Sequence, residues 1–171
     1  NISQPSLTNS IRIVTWNCNG AFRKKAHAIA AFQPDIAVIQ ECERPEKLLF
    51  KDVSARPAFY SWFGDDNGKK GILLASYTDV HFEVDARYDK SIRHCIPIRV
   101  SGGIDCHLLA VWAMESPERR QGYVWRLVKA TEIYQQFLNE KPSCVIGDWN
   151  SNANWDQEKY GNPHKSVVSK L

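Results

Sequence analysis

Three hydrophobic runs that end abruptly in polar side chains constrain the fold of this chain more than any other feature. The runs are VTWNCNG (residues 14–20), IAVIQECE (36–43) and VIGDWNSN (145–152). Each begins with β-branched and other apolar residues, which favour buried strands, and each ends in amides or carboxylates. We therefore expect three buried strands whose C-terminal ends carry oxygen-bearing side chains, far apart in the sequence but close together in the fold.

The side chains at these strand ends have the chemistry of a magnesium site. Asn17, Glu41, Asp148 and Asn150 all follow directly on the apolar runs. Oxygen ligands held on rigid strand ends suit a hard cation such as Mg²⁺. A cation bound there can neutralise and polarise a phosphate, so the pattern favours phosphoester hydrolysis.

Composition sets wider limits on the class of protein. A chain of 171 residues with 43% hydrophobic and 24% charged residues is typical of one globular domain. The net charge of +3 is too small to identify a nucleic-acid partner without other evidence. The sequence contains no apolar run long enough for a membrane span, and residues 1–10 lack the features of a signal peptide. We predict a disordered lead-in over 1–10 and a single domain over 11–171.

The five cysteines favour a reducing compartment. Their number is odd, they form no Cys-x-x-Cys pair, and most lie in or beside predicted strands, where a thiol acts as a small apolar residue. We therefore expect reduced thiols and a cytoplasmic location.

Hydrophobic periodicity and turn residues predict a mixed α/β order. A strand, a helix that begins near Phe22 and a second strand form a β-α-β unit over 11–40, and a short helix is predicted over 45–51. Short strands follow, including a long one over 92–100 that a Gly102-Gly103 turn joins to a strand over 104–113. A stripe of apolar residues predicts one long helix over 124–138, and a further strand begins at Cys144. This order indicates two sheets packed face to face and flanked by helices.

Four of these segments resemble motifs of one known family. VTWNCNG, IAVIQECE, HLLAVWA (107–113) and IGDWNSN (146–152) occur in the order and spacing of the strand-end motifs of the endonuclease/exonuclease/phosphatase superfamily. That superfamily includes deoxyribonuclease I and exonuclease III-type enzymes, and the resemblance runs from Ile11 to Leu171. It implies an α/β (α+β) fold of four layers, α/β/β/α, in which a two-sheet β-sandwich is flanked by helices.

The resemblance also implies roles for the strand-end residues. Glu41 matches the Mg²⁺ ligand, and Asn17 matches the amide that helps to hold the metal and the phosphate. Asp148 matches the carboxylate that orients or deprotonates the attacking water, while Asn150 matches the amide that contacts the phosphate and fixes Asp148. The implied activity is that of a Mg²⁺-dependent phosphodiesterase or nuclease, with Mn²⁺ as a possible substitute and nucleic acid as the expected substrate.

Simpler interpretations of several residues stay open. Asn17, Asp148 and Asn150 are also common in turns, and Glu41 could be a surface glutamate. Basic residues that could contact phosphate are equally compatible with a solvated surface; they are Arg23, Lys24, Lys25, Lys69 and Lys70. Trp112 stands where relatives often place a His or Tyr that contacts the phosphate, but an indole cannot accept a proton and could simply line the wall of the site.

One family motif has no counterpart in this chain. Relatives end in a Ser-Asp-His motif, whereas His164 is the only histidine after Asn150 and follows a proline. We therefore expect a C-terminally incomplete domain, about the N-terminal two thirds, that lacks the last strands of the fold. The alternative is an incomplete or degenerate member that acts as a non-catalytic binding module. A shortened sheet would expose apolar surface and favour self-association.

Overall fold

The computed structural model describes residues 10–50, 52–114, 124–151, 154 and 162–171. Residues 1–9 of the predicted lead-in lie outside this set. The described residues form eight strands and four α-helices, with short 3₁₀ turns at Pro45–Lys47 and Val53–Ala55. In chain order the elements are β1 (Ile13–Asn17), α1 (Phe22–Ala30), β2 (Ile36–Glu43), β3 (Phe59–Gly64), β4 (Lys70–Ser76), β5 (His81–Val84), β6 (Cys95–Ser101), β7 (Cys106–Trp112), α2 (Val124–Ile133), α3 (Gln135–Glu140), β8 (Ser143–Asp148) and α4 (Pro163–Val168).

The strands form two four-stranded sheets. The first sheet has the order β1-β2-β4-β3 and the second the order β5-β6-β7-β8. The pairs β1–β2 and β7–β8 are parallel, and the other neighbouring strands are antiparallel. The facing sides of the two sheets share one apolar core, which confirms the predicted sandwich; its fully buried members include Ile36, Ile72, Leu74, Ile96, Ile98 and Leu108.

Helices cover the outer faces of both sheets and complete four layers. On the first sheet, Phe22 and Ile29 of α1 pack against Ile39 and Leu73. On the second sheet, α2, α3 and α4 contribute buried apolar residues that pack against Leu109 and Val111; they are Leu127, Val128, Tyr134, Phe137 and Val167. The predicted α/β/β/α layering is therefore confirmed over the described residues.

Three predicted elements differ from those observed. The long helix predicted over 124–138 breaks at Tyr134, whose buried hydroxyl accepts a hydrogen bond from the Asp89 N–H at 2.9 Å. The strand predicted to start at residue 92 starts at Cys95, because His94 has a φ of +62° and interrupts extended backbone. The predicted helix over 45–51 is a single 3₁₀ turn that ends where Leu48 leaves helical geometry with a ψ of 61°.

Parallel pairing gathers the polar strand ends at one edge of the sandwich. The C-terminal ends of β1 and β2 lie side by side, as do those of β7 and β8, and β1 lies close to β8 across the two sheets. The first residues of β4 and β6 reach the same edge because these strands run in the opposite direction. We call this edge of the molecule the carboxyl edge.

The second sheet ends in β8, which pairs on one side with β7 among the described residues. Self-association through this part of the molecule stays a prediction. None of the described helices combines the length and the apolar character that crossing a membrane requires.

Asp85, a buried carboxylate that directly follows β5, should make the stability of the fold depend on pH in the acid range. Hydrogen bonds from the Arg87 side chain lower the pKa of Asp85 from 3.8 to about 2, against burial, which raises it. Because the pKa is lower in the folded state, the ionised carboxylate stabilises the fold above about pH 4, and this contribution is lost as the pH falls from about 4 to about 2. We expect Asp85→Asn to lower the free energy of unfolding by about 2 kcal/mol near pH 7 and by much less near pH 2, measured by denaturant titration.

The matched control for this prediction is Asp105→Asn, which removes an exposed partner of Lys141. Exposed ion pairs contribute little, so this change should stay within about 0.5 kcal/mol at either pH. An Asp85→Asn loss of the same size at neutral and acid pH would contradict the proposed role of the carboxylate charge.

Candidate active site

Asn17 joins the two carboxylates at the centre of the carboxyl edge. Its side-chain Nδ2 donates hydrogen bonds to Glu41 Oε1 at 2.9 Å and to Asp148 Oδ2 at 2.8 Å. Asn17 and Asp148 are 131 residues apart in sequence, and they belong to different sheets. The structure thus brings together the three strand ends, as the sequence predicts. Asn17 Oδ1 accepts the Asn19 N–H at 3.1 Å, so the amide presents its nitrogen to the carboxylates.

A β-bulge aims Glu41 at this edge. The register of β2 against β4 shifts between Ile39 and Cys42, both of which pack under α1. In an uninterrupted strand Glu41 would share the face of Ile39 and point into the helix layer. The bulge gives Glu41 a φ of +56°, and the Gly20 N–H holds its carbonyl at 2.9 Å. Such strained backbone is commonly retained at functional sites.

Asp148 ends β8 and has both carboxylate oxygens fixed. Oδ2 accepts from Asn17, and Oδ1 accepts the backbone N–H of Asn150 at 2.9 Å. The Asn150 side chain donates to the Ala113 carbonyl at 2.8 Å, which anchors the turn to the end of β7. Asn150 therefore positions Asp148 through its backbone, while its contact with phosphate stays a prediction.

Lys70, the first residue of β4, supplies a positive charge at the same place. Its Nζ lies 2.6 Å from Glu41 Oε2 and 2.9 Å from Asn19 Oδ1. The Lys70 hydrogen bond is the main cause that lowers the pKa of Glu41, with help from Asn17 and against desolvation. The sequence suggests Lys70 only as a loop cation; its pairing with Glu41 follows from the antiparallel register that places Lys70 opposite Glu43.

The structure places Arg23 and Lys24 on α1, outside this group of contacts. Arg23 pairs with Glu43 at 3.0 Å, and the buried Glu43 carboxylate also accepts the backbone N–H groups of Phe22 and Arg23 at 2.6 and 3.0 Å. Burial alone would raise the pKa of Glu43, but these hydrogen bonds lower it. Glu43 thus caps α1 from the neighbouring strand, a role that sequence order does not reveal. Lys24 is exposed, and phosphate binding by Arg23 and Lys24 stays a prediction.

Trp112 lies beneath the edge as a wall of the site. It is 6% exposed, it is the register partner of Asp148, and its ring packs against His94 at 4.8 Å between centroids. This burial favours the wall interpretation of Trp112, and its contact with substrate stays a prediction.

A cleft lined by aromatic and charged side chains opens on the carboxyl edge. Its volume is about 1120 Å³, and it lies where β3 and β5 end and β6 begins, on the carboxyl edge. Its aromatic side chains include Trp62, Phe63 and Tyr88, and its charged side chains are Asp65, Asp66, Lys90 and Arg93, of which Arg93 pairs with Asp65 at 3.2 Å. Aromatic faces beside positive charges are suited to nucleobases and their phosphates.

Comparison with known proteins identifies the fold. No protein-family model and no curated protein matches the sequence. The endonuclease domain of TRAS1, a telomere-specific non-LTR retrotransposon, superposes with a TM-score of 0.64 at 13% identity, over 94% of this chain and 71% of that domain. This chain has the endonuclease/exonuclease/phosphatase fold. At such low identity the likeness establishes the fold alone.

Two further structures with the superfamily fold give similar results. Truncated TDP2 from Caenorhabditis elegans matches with a TM-score of 0.60 at 16% identity, over 84% of this chain and 64% of that one. The 3′ phosphatase NExo from Neisseria, solved with a product DNA hairpin, matches with a TM-score of 0.60 at 21% identity, over 94% of this chain and 71% of that one. The chain thus spans less than two thirds of that TDP2 structure.

The donor set at the carboxyl edge fits the divalent cation that the superfamily fold implies. Glu41 and Asp148 face one amide, and an ammonium already sits on Glu41 as a stand-in cation. The described residues hold no group of three or more His, Cys, Asp or Glu side chains that would form an all-protein cage. Mg²⁺ normally keeps several waters and takes one or two carboxylates, so this smaller set suits it.

His164 lies next to the end of β8 rather than in the superfamily's terminal motif. Its Nδ1 bonds the Ser151 hydroxyl, and its ring lies 6.5 Å from that of Trp149. The buried Val167, one turn further along α4, anchors the helix on the second sheet. His164 is therefore tied to the segment that follows Asp148, and its side chain is only half-buried.

Proposed function

We propose that this chain is a Mg²⁺-dependent phosphodiesterase, in which water attacks the phosphorus of a nucleic-acid phosphodiester. The observation that carries the proposal is the double hydrogen bond of Asn17, which holds Glu41 and Asp148 at one point. The superfamily fold supports the same class of chemistry. Mn²⁺ is expected to substitute for Mg²⁺, because the ligands are carboxylate oxygens.

The chemistry follows from what each side chain can do. When bound, Mg²⁺ would be held by Glu41 and would polarise the phosphate and neutralise developing charge. Asp148 orients the attacking water and accepts its proton as the new O–P bond forms, while the ester P–O bond breaks and the leaving oxygen takes a proton from solvent. Asn17 and the Asn150 N–H hold both Asp148 oxygens in place. The fixed carboxylate can then orient the attacking water in one direction.

Nucleic acid is the proposed substrate because of the neighbouring cleft. Trp62, Phe63 and Tyr88 offer aromatic surface for bases, and Lys90 offers positive charge for phosphates; Arg93 could add to it by leaving its pair with Asp65. NExo, which shares the fold, was solved with product DNA. We also propose a reducing, cytoplasmic location, which the five free thiols support.

The test is hydrolysis of a panel of phosphodiesters by the wild type and by Glu41→Gln. The panel contains single- and double-stranded DNA, RNA, an inositol phosphodiester and sphingomyelin, each with and without Mg²⁺. We expect nucleic-acid cleavage that requires Mg²⁺, and a loss of about a hundredfold or more in Glu41→Gln, since the amide weakens both the metal site and its charge. Glu83→Gln, an exposed carboxylate on β5, is the matched control and should keep full activity.

Two results would contradict this proposal. Activity that Glu41→Gln leaves unchanged would remove the metal role of Glu41. Absence of Mg²⁺-dependent cleavage across the whole panel, from a folded wild type that still binds DNA, would favour the non-catalytic binding module instead.

A further inference from the structure

The Lys70 ammonium occupies the oxygen of Glu41 that faces away from Asn17. Glu41 Oε1 is taken by the Asn17 amide at 2.9 Å, and Oε2 by Lys70 Nζ at 2.6 Å. Both oxygens of the Glu41 carboxylate therefore already accept a hydrogen bond where the divalent cation would bind. A cation that approaches Glu41 meets a positive charge that is already present.

The ion pair and a metal ion on Glu41 compete. A divalent ion on Glu41 would stand within a few ångströms of the ammonium, and like charges at that distance repel strongly in a partly buried site. The Lys70 and Glu41 side chains are 38% and 23% exposed, so the ammonium has room to leave the carboxylate. A lysine is a compact charge on a flexible stem and can move between two acceptors without moving the backbone.

The position of Lys70 directs where the displaced charge would go. Its stem passes over the turn after β1, since a Cβ on Gly20 would lie 3.6 Å from the Lys70 Cε. Its ammonium also bonds Asn19 Oδ1, an exposed residue on the same turn. The charge thus stays at the carboxyl edge, beside the turn after β1.

We propose that Lys70 is a phosphate-binding residue that pairs with Glu41 in the metal-free protein and transfers to the substrate phosphate when a divalent cation takes Glu41. This inference rests on the proposed function, since it deepens the role of the same site. It assigns two states to one side chain: a counter-ion of Glu41 when no metal is bound, and a phosphate ligand once the metal is bound.

Metal binding without substrate tests the first state. In calorimetric titrations with MnCl₂ and MgCl₂, Lys70→Ala should bind the cation about fivefold more tightly than the wild type, because no ammonium has to be displaced. Lys141→Ala is the matched control: it removes another Lys–carboxylate pair, with Asp105, at the opposite end of β8, and should leave the metal affinity unchanged. An unchanged or weaker affinity in Lys70→Ala overturns the inference.

Substrate binding tests the second state. With Ca²⁺ in place of Mg²⁺, fluorescence anisotropy of a labelled single-stranded DNA should show affinity reduced about five- to tenfold in Lys70→Ala and largely retained in Lys70→Arg, which keeps the charge. DNA affinity equal to that of the wild type in Lys70→Ala overturns the assignment to phosphate.

The two proposals fail separately. If the wild type cleaves no substrate but Lys70→Ala still shows tighter metal and weaker DNA binding, the hydrolytic function is wrong and the role of Lys70 stands. If cleavage depends on Mg²⁺ and Glu41 but Lys70→Ala leaves both affinities unchanged, the role of Lys70 is wrong and the function stands.

Discussion

Asp148→Asn is expected to lower kcat/KM for phosphodiester cleavage by about 10³-fold, the scale of a positioned general base. The amide keeps the size of the side chain but cannot accept a proton from the attacking water. It also offers one acceptor oxygen where the carboxylate serves two donors, the Asn17 amide and the Asn150 N–H. One of those donors loses its partner, so we expect a smaller loss of about 1 kcal/mol in the free energy of unfolding.

The measurement is single-turnover cleavage at saturating Mg²⁺, with circular dichroism to verify the fold. Asp105→Asn, an exposed aspartate before β7, is the matched control and should cleave at the wild-type rate. A rate reduction smaller than about tenfold in Asp148→Asn would show that another group prepares the water, and the proposed mechanism would have to be changed.

Gly147→Ala is expected to be the most destabilising single methyl addition in the described chain. A Cβ at residue 147 would lie 1.9 Å from the Val111 carbonyl oxygen on the paired strand, and φ there is +142°. β7 and β8 cannot move apart without breaking the hydrogen bonds of the parallel pair in which Val111 is the register partner of Gly147. We expect a loss of about 4 kcal/mol or more in the free energy of unfolding, measured by urea titration, together with loss of activity.

The control for this prediction separates steric overlap from backbone strain. Gly20→Ala also places a side chain at positive φ, +76°, but its Cβ would meet its nearest neighbour at an ordinary 3.6 Å. Gly20→Ala should lower the free energy of unfolding by about 1 kcal/mol. If Gly147→Ala lowered the free energy of unfolding no more than Gly20→Ala does, the close approach of β8 to β7 would not constrain residue 147.

Local patterns predicted the layers and the strand ends well. The three apolar runs are strands, but only the run before Glu41 is buried, since β2 lies inside its sheet and under α1. The runs before Asn17 and Asp148 form the outer strands β1 and β8, which are half-buried or exposed, so the prediction that they are buried was wrong. Gly102 and Gly103 both have positive φ and turn β6 into β7, as their sequence indicates. These features depend on near neighbours in the chain, which is why periodicity and turn chemistry reveal them.

Features set by distant partners could not be predicted in the same way. The bulge at Glu41 exists because Ile39 and Cys42 both pack under α1, and the capping of α1 by Glu43 depends on how that helix lies against β2. The pairing of Lys70 with Glu41 needs the register of β4. The sequence predicted Asn17 as a metal ligand, but its amide presents nitrogen to both carboxylates, an orientation that only the surrounding hydrogen bonds decide.

The two carboxylates of the site belong to different sheets, Glu41 to the first and Asp148 to the second. Their relative position therefore depends on how the two sheets pack at this corner, where β1 and β2 both approach β8. The hydrogen bonds of Asn17 to Glu41 and Asp148 connect the two sheets at this corner of the carboxyl edge. A substitution in the apolar layer that shifts one sheet against the other would therefore also move Glu41 relative to Asp148.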